Sequence, residues 1–208
     1  MDNKPFFSII ITTFNRANII ERSLNSLLNQ FETDWEAIII DDGSTDNTKE
    51  KIKKYLSNNI KYFFQNNLGA ANAKNTGIEL SSGKYITFLD SDDEYKENHL
   101  YVRKKFLEQF KCIEFLYGGV EIIGNQFVPD IKNPTKKIHL SDCVIGGSFF
   151  IKKEIIKLLN GFPVVEFGED KLLFDKAKNL NLFFANFMEQ TYIYHRDTKN
   201  STCNNLIK

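Results

Sequence analysis

Two short acidic clusters, each directly behind an apolar run, constrain this chain more than any other feature. They read IIIDDGS at residues 38–44 and YITFLDSDD at residues 85–93. Apolar runs rich in β-branched and aromatic residues are typical of buried strands in a parallel sheet. Carboxylates just past such strands lie where open α/β sheets bind ligands. Either cluster alone is also explained by acidic helix caps, but the repeated order favours a site for a cation and a phosphate-bearing ligand.

The spacing of apolar residues predicts an alternation of strands and helices through the first ninety residues. We expect strands at 6–13, 36–41, 60–65 and 85–89, and helices at 20–31, 46–56 and 70–80. This alternation is the signature of a parallel sheet with right-handed crossovers. The second half is less regular, with helices expected at 98–110, 153–159 and 169–179, strands at 113–123, 144–151, 182–187 and 191–194, and a polar loop at 129–137. We therefore predict one α/β domain over residues 1–196, with a polar tail at 197–208.

Composition excludes several function classes. The 27 basic and 27 acidic residues balance, so a broad nucleic-acid footprint is not indicated. Three cysteines without a CxxC pair suggest neither a zinc site nor a disulfide framework, which favours a cytoplasmic protein. No signal peptide is recognised, and no apolar run reaches the roughly 18 residues of a membrane span. Basic residues at 49–54 and 103–105 leave open a peripheral contact with anionic lipid, although a solvated helix face explains them more simply.

Four motifs, in this order, resemble those of the inverting family 2 glycosyltransferases, which have the GT-A fold. They are SIIITTFNR at residues 8–16, DDGS at 41–44, NLGAANAKNTGI at 67–78 and FLDSDD at 88–93. The third motif departs from the family pattern, because Lys74 replaces the more usual Arg. The resemblance extends to about Arg196 and implies a Rossmann-like domain with a mostly parallel central sheet flanked by helices. Residues 1–95 are then expected to bind a nucleotide sugar and residues 96–196 an acceptor.

The resemblance also implies roles for individual residues. Asp92 is expected to ligate Mn²⁺ or Mg²⁺, with Asp90 near the ribose or the water shell of the metal. Thr12 and Asp42 are expected to contact the nucleobase, where a carboxylate can accept the N3–H of uracil. Lys74 is expected to neutralise phosphate charge, or else to be an exposed helix lysine. The implied nucleotide-sugar-binding residues are Thr12, Asn15, Arg16, Asp42, Lys74, Asp90 and Ser91.

The catalytic base is expected in the second half. In the family an acidic pair opens a helix below the acceptor, and Glu169-Asp170 fits, with Asp170 as the base. A helix-capping pair is the alternative. His195 follows the last predicted strand, where relatives often carry a His near metal and diphosphate, so it is a candidate metal ligand, with a capping or surface role as the alternative. His99 and His139 are expected to be structural.

The implied function is transfer of one sugar from a nucleotide-diphosphate donor, expected to be a UDP-sugar, to a hydroxyl acceptor with inversion. The acceptor is left open between carbohydrate, lipid-linked and protein acceptors, in bacterial-type surface glycan synthesis in the cytoplasm or at the inner membrane face. No QxxRW motif of processive synthases is present. The rival readings are a non-catalytic sugar-binding module derived from such an enzyme and a phosphatase with a DxD motif.

Overall fold

The computed structural model describes residues 4–130, 133, 135–165 and 167–197. Strands and helices alternate through the first half, as the sequence predicts. They are β1 (Phe7–Thr13), α1 (Ile20–Leu28), β2 (Trp35–Asp41), α2 (Thr48–Lys53), β3 (Ile60–Phe64), α3 (Ala70–Leu80) and β4 (Tyr85–Phe88). The ends of α1 and α2 fall short of the predicted ends by about one turn. None of the helices in these described ranges is long and apolar enough to cross a membrane.

The second half consists of shorter elements. They are β5 (Glu94–Tyr95), α4 (His99–Gln109), β6 (Phe115–Tyr117), β7 (Val120–Gly124), β8 (Phe127–Pro129), β9 (Lys137–His139), β10 (Phe150–Lys152), α5 (Lys153–Leu158), α6 (Glu169–Lys178), β11 (Phe184–Asn186) and β12 (Tyr192–Arg196), with 3-10 turns at Leu140–Asp142 and Gly146–Ser148. The predicted tail lies outside the described residues beyond Asp197.

Two strand predictions for this half were wrong in detail, and one loop prediction missed the short strands at its ends. The single strand predicted at 113–123 is two strands, because Gly118 and Gly119 have φ of 94° and 70°, a conformation that ends a strand. The strand predicted at 144–151 begins as a 3-10 turn and becomes β10 only at Phe150. The loop predicted at 129–137 joins β8 and β9, which pair antiparallel. Strands of two or three residues are too short for an alternating pattern to reveal.

Within the described ranges, seven strands form the main sheet, in the order β11-β6-β10-β4-β1-β2-β3. The neighbours β4, β1, β2 and β3 are all parallel, whereas β10 is antiparallel to both β4 and β6. A smaller sheet has the order β5-β12-β7. The prediction of a mostly parallel α/β domain is confirmed. Because β1 lies between β2 and β4, the turns that follow these three strands meet at one edge of the sheet.

The two faces of the sheet bury separate apolar clusters. Successive residues of β1 point to opposite faces, so Ile9 and Ile11 pack in one cluster with α1, and Ile10 packs in the other. The second cluster holds Phe115 and also Phe174 of α6, with ring centroids 5.7 Å apart. Each such buried side chain contributes about 1.5–3 kcal/mol. This packing holds the start of α6, which carries the predicted base, against the sheet.

Candidate active site

The turns after β1 and β2 are joined by the side chain of Asn15. Its Oδ1 accepts a hydrogen bond from the N–H of Thr45 (2.8 Å), and its own N–H donates to Ser44 Oγ (2.8 Å). Asn15 has a φ of 53°, which Asn tolerates better than most residues. The N–H of Arg16 donates to Thr48 Oγ1 (2.8 Å) in the same way. Asn15 and Arg16 therefore tie the turns after β1 and β2 together through contacts within the protein, and their role in donor binding stays a prediction.

Asp42 anchors the start of α3. Its Oδ1 accepts hydrogen bonds from Gln65 Nε2 (2.7 Å) and the N–H of Leu68 (2.9 Å), and its Oδ2 accepts from the N–H of Gly69 (2.8 Å). A carboxylate has about four acceptor positions, so the protein already occupies three of them. One acceptor position is left for a hydrogen-bond donor of a ligand, and the nucleobase contact of Asp42 stays a prediction.

Hydroxyl groups line the same edge. Thr12 is half-buried at the end of β1, and Ser91, after β4, is buried. Thr13 Oγ1 is buried and has no hydrogen-bond partner among the described residues. An unsatisfied buried hydroxyl costs about 1–3 kcal/mol. Thr13 belongs to the first motif, but the motif assigned it no role; its hydroxyl is a buried polar group next to Thr12 that lacks a partner among the described residues.

The segment after β4 presents two unengaged carboxylates and one that is fully engaged. Asp93 is completely buried: its Oδ2 accepts the Tyr192 hydroxyl (2.6 Å) and its Oδ1 accepts the N–H of His195 (2.8 Å). The carboxylates of Asp90 and Asp92 accept no hydrogen bond within the part of the chain that the structure describes. Asp93 thus ties the segment to β12, and Asp90 and Asp92 are left for a ligand.

Charged residues from three parts of the chain act on the carboxylate of Asp90. Burial raises the pKa of Asp90 to about 6, opposed by the charge of Lys74 and reinforced by those of Asp92, Asp170 and Glu169. These residues come from the segment after β4, from α3 and from α6. The predicted metal motif and the predicted base therefore share one electrostatic environment.

The carboxylates at this edge fit a divalent cation whose remaining ligands are substrate phosphates. Hard cations take oxygen ligands, and Mg²⁺ is commonly held by one or two carboxylates together with phosphates. Asp92 and Asp90 offer two carboxylates of this kind. Across residues 4–197, leaving out those the structure does not describe, there is no group of three or more His, Cys, Asp or Glu that could hold a metal ion. Metal ligation by Asp92 stays a prediction.

His195 is engaged at both ring nitrogens. Its Nε2 lies 2.8 Å from Glu94 Oε1, its Nδ1 lies 3.3 Å from Asp197 Oδ1, and the residue is 9% exposed. The ring is therefore held between two carboxylates rather than presented to an open ligand position. The metal role of His195 stays a prediction.

Asp170 lies in the first turn of α6, where its two oxygens have different partners. Oδ1 is 2.9 Å from Lys74 Nζ, and Oδ2 accepts the N–H of Gly146 (3.0 Å). The side chain keeps 28% of its surface exposed, so it is accessible from the solvent. The N-cap of α6 is Gly168, and no side chain caps the helix. The alternative of a capping Glu169-Asp170 pair is therefore wrong.

Lys74 is buried between α3 and α6. Its Nζ lies 3.0 Å from Glu169 Oε1, 2.9 Å from Asp170 Oδ1 and 4.8 Å from the centroid of the Phe162 ring, and the residue is 5% exposed. The alternative of an exposed helix lysine is therefore wrong. Burial by itself lowers the pKa of Lys74, but the charges of Asp170, Glu169 and Asp90 outweigh it and raise the pKa. The ammonium stays charged and faces the acidic pair.

The two acids of the pair have different protonation behaviour. Burial raises the pKa of Asp170, and Glu169 adds to the rise, against the opposing effects of Lys74 and the Gly146 N–H. Burial also acts on Glu169, but the charge and hydrogen bond of Lys74 outweigh it and lower the pKa. Neighbouring carboxyls whose pKa values are pushed apart are typical of acid–base sites. Asp170 is the better candidate for proton transfer.

Two glycines support the site. A Cβ at Gly146 would come within 3.0 Å of Asp170, and a Cβ at Gly147 would come within 3.0 Å of the Tyr192 ring and hydroxyl. Residues 146–151 resemble a segment that lines the acceptor side in the family, but no sequence pattern assigned the contact of Gly146 with Asp170 or any contact of Tyr192 and Asp93. The paired glycines within an apolar stretch are the signal that marks a close approach of backbone.

A separate groove of about 730 Å³ lies between α1 and residues 94–98. Its wall includes Arg22, which donates a hydrogen bond to the backbone carbonyl of Asp92. None of the predicted site residues lines this groove. The groove therefore adjoins the back of the Asp92 segment and is not the predicted donor site.

Comparison with known proteins gives consistent matches. A family model described as Glycosyl transferase family 2 matches residues 8–154. The Escherichia coli protein UDP-Glc:alpha-D-GlcNAc-diphosphoundecaprenol beta-1,3-glucosyltransferase WfgD is 37% identical over 185 residues, which cover 86% of this chain and 72% of WfgD. The minor teichoic acid biosynthesis protein GgaA of Bacillus subtilis (strain 168) is 31% identical over 212 residues, which cover 91% of this chain and 47% of GgaA.

Among solved structures, S. aureus TarS 1-349 in complex with UDP-GlcNAc matches with a TM-score of 0.78 at 21% identity, over 94% of this chain and 60% of the TarS chain. This chain thus spans about half of GgaA and less than two thirds of that TarS chain. The family match covers well over half of the 208 residues and contains the segments that carry Asp42, Lys74 and Asp92. The chain therefore belongs to glycosyl transferase family 2 and has the GT-A fold.

Proposed function

We propose that this chain transfers a single sugar from a UDP-sugar to a hydroxyl acceptor, with inversion at the anomeric carbon. The observation that supports it most is the placement of the carboxylates. Those of Asp90 and Asp92 follow β4 and accept no hydrogen bond from the described residues. That of Asp170 in α6 is paired with Lys74 of α3 at 2.9 Å, and the Asp170 side chain keeps 28% of its surface exposed. The names of WfgD and of the TarS complex include UDP-Glc and UDP-GlcNAc, which supports a UDP-sugar donor here.

In this proposal Asp170 is the base. Its carboxylate takes the proton of the acceptor hydroxyl while the hydroxyl oxygen forms a bond to the anomeric carbon. The bond from that carbon to the diphosphate breaks on the opposite face, so the configuration inverts. Burial raises the pKa of Asp170, which makes its carboxylate a stronger proton acceptor than that of an exposed aspartate. When bound at Asp92, a divalent ion supplies Lewis-acid stabilisation to the leaving diphosphate.

The other site residues bind the donor. Thr12 and Asp42 contact the nucleobase, Asp90 lies near the ribose, and Asn15, Arg16 and Ser91 complete the donor edge. Residues 1–95 therefore bind the donor and residues 96–196 the acceptor. The names of WfgD and GgaA support a role in bacterial surface glycan synthesis. We place the reaction in the cytoplasm, at the inner membrane face if the acceptor is lipid-linked.

The first test is a thermal-shift screen of nucleotide sugars with and without Mn²⁺. A ligand that binds only the folded state raises its stability by mass action. We expect a UDP-sugar to raise the melting temperature only with Mn²⁺ present, and slow UDP release from the same donor. Binding without any UDP release would favour the non-catalytic module. Release of phosphate from a simple phosphate ester, without UDP-sugar binding, would favour the phosphatase.

The second test addresses Asp170. Asp170→Asn keeps the shape but cannot take the proton, so turnover should fall by roughly 10²- to 10⁴-fold, the usual contribution of a positioned base. Donor affinity should barely change, and Glu169→Gln should be milder. Asp175→Asn is the matched control, because Asp175 lies on the same helix in an exposed ion pair with Lys171. NMR of the product should show a β linkage from an α-linked donor. Retained configuration, or near-normal turnover of Asp170→Asn, would refute the mechanism.

A further inference from the structure

The charged contacts of Lys74 both run to the acidic pair at the start of α6, Glu169 (3.0 Å) and Asp170 (2.9 Å). We propose that Lys74 is a positioning residue for Asp170: it holds one carboxylate oxygen so that the other faces the acceptor in a fixed orientation. This inference rests on the proposed function. It differs from the role that the family resemblance implies for Lys74, which is neutralisation of phosphate charge.

The Asp170 carboxylate is held from two sides. Lys74 Nζ contacts Oδ1 at 2.9 Å, and the Gly146 N–H contacts Oδ2 at 3.0 Å. The terminal torsion of an Asp side chain is broad, so a single hydrogen bond leaves the carboxylate free to rotate. Two bonds from different elements, α3 and the 3-10 turn, set its plane. Each oxygen keeps a second lone pair, so Asp170 can still accept the acceptor proton.

Lys74 itself has little freedom to move. Glu169 Oε1 takes a second contact with its Nζ (3.0 Å), and the Phe162 ring lies below it at 4.8 Å. The neighbouring Asn75 fixes Phe162 through two hydrogen bonds, from its Nδ2 to the Phe162 carbonyl (2.9 Å) and from the Phe162 N–H to its Oδ1 (2.8 Å). A Cβ at Gly161 would come within 3.0 Å of Asn75 Oδ1, so this turn approaches α3 closely. A rigid ammonium is what positioning requires.

The charge of Lys74 acts on the whole site. It opposes the rise in the pKa of Asp90 and of Asp170, and it is the largest influence that lowers the pKa of Glu169. Without it, Asp90, Asp92, Glu169 and Asp170 would face each other as four carboxylates. Removal of Lys74 should therefore have two effects on Asp170. Its carboxylate should rotate more freely, and its pKa should rise.

The test compares Lys74→Met, Lys74→Gln and Lys74→Arg with Lys104→Met. Lys104 of α4 is the matched control. Its Nζ also pairs with two carboxylates, those of Glu32 (3.1 Å) and Asp34 (2.9 Å), and none of these three residues is a predicted site residue. The readouts are UDP release from UDP-Glc or UDP-GlcNAc as a function of pH, the donor KM, and the carbon-13 titration of the Asp170 carboxyl.

We expect Lys74→Met and Lys74→Gln to lower kcat by on the order of 10²-fold, the cost of a base misplaced by about 1 Å. The acidic limb of the pH profile and the Asp170 titration should both move to higher pH, and the donor KM should stay within about twofold of the wild-type value, since uniform binding is not lost. Lys74→Arg should recover most of the kcat, and Lys104→Met should match the wild type. A raised donor KM with unchanged kcat and pH profile would overturn the inference and support a diphosphate contact.

A wild-type measurement covers the case in which the Met and Gln variants do not fold. The nitrogen-15 signal of the Lys74 ammonium should keep its position when UDP and Mg²⁺ are added, because the ammonium stays on the acidic pair. A large shift on addition would overturn the inference. Failure of the wild type to release UDP from any nucleotide sugar would instead count against the proposed function.

Discussion

The substitution Gly146→Ala tests the geometry of the base without removing it. The N–H of Gly146 donates to Asp170 Oδ2 (3.0 Å), and a Cβ at this position would lie within 3.0 Å of Cγ and of both oxygens of that carboxylate. Cβ atoms essentially never lie within 3.0 Å of such atoms, and ordinary van der Waals contact begins at about 3.4 Å. The carboxylate must therefore move, and the contact of Oδ1 with Lys74 opposes its retreat.

We expect turnover of Gly146→Ala to fall by on the order of 10²-fold, because relief of the overlap displaces the carboxylate by about 1 Å. Donor affinity should be unchanged, since Gly146 contacts the side chain of the proposed base and not that of a predicted donor-binding residue. The assay is UDP release from the donor identified by thermal shift, together with calorimetry for UDP binding.

Two comparisons sharpen this prediction. Gly77→Ala adds the same methyl group against the side chain of Ile10 in the apolar core, so it should lower the free energy of unfolding without a comparable loss of turnover per folded molecule. Gly146→Ala combined with Asp170→Asn should be no slower than Asp170→Asn alone, because both changes act through one group. Near-normal turnover of folded Gly146→Ala, or full additivity in the double variant, would refute the reasoning.

Three further predictions concern metal, pH and packing. Asp92→Ala should fold normally but lose the Mn²⁺-dependent part of its UDP affinity; equal affinities with and without metal in both proteins, measured by calorimetry, would contradict the assigned role. Burial by itself raises the pKa of Glu36, but hydrogen bonds from Ser82 and Ser8 outweigh burial, so the pKa is lower in the folded protein than in the unfolded chain. The ionised Glu36 carboxylate therefore stabilises the fold above its unfolded pKa of about 4.3, and this stabilisation is lost as the pH falls through the pKa of the folded protein. Urea unfolding of Glu36→Gln should therefore show a loss of about 1–3 kcal/mol at pH 7 that shrinks in strong acid; an equal loss at both pH values would exclude this linkage. Phe115→Ala, at a fully buried core position, should lower the free energy of unfolding by about 3–5 kcal/mol in urea titration, and a loss below about 1 kcal/mol would show that the second cluster does not pack as described.

The sequence by itself determined the α/β class and the position of the acidic clusters. Strand and helix periods are local, so the apolar spacing predicted the alternation through β4, and a carboxylate that follows a buried strand must lie at the edge of the sheet. The short second-half strands escaped this reasoning, because their limits depend on Gly118 and Gly119 and on pairing partners far along the chain.

Only the tertiary structure decided how the site residues are used. Lys74 and Asp170 are 96 positions apart, and Asp93 and Tyr192 are 99 apart, so no local pattern contains their contacts. Burial likewise comes from packing of the whole chain. It makes Lys74 a partner of the acidic pair, and it leaves Thr13 Oγ1 without a hydrogen-bond partner among the residues that the structure describes. Residue identity fixed which groups are charged, whereas the fold decided which of those charges face each other and which are left open to a ligand.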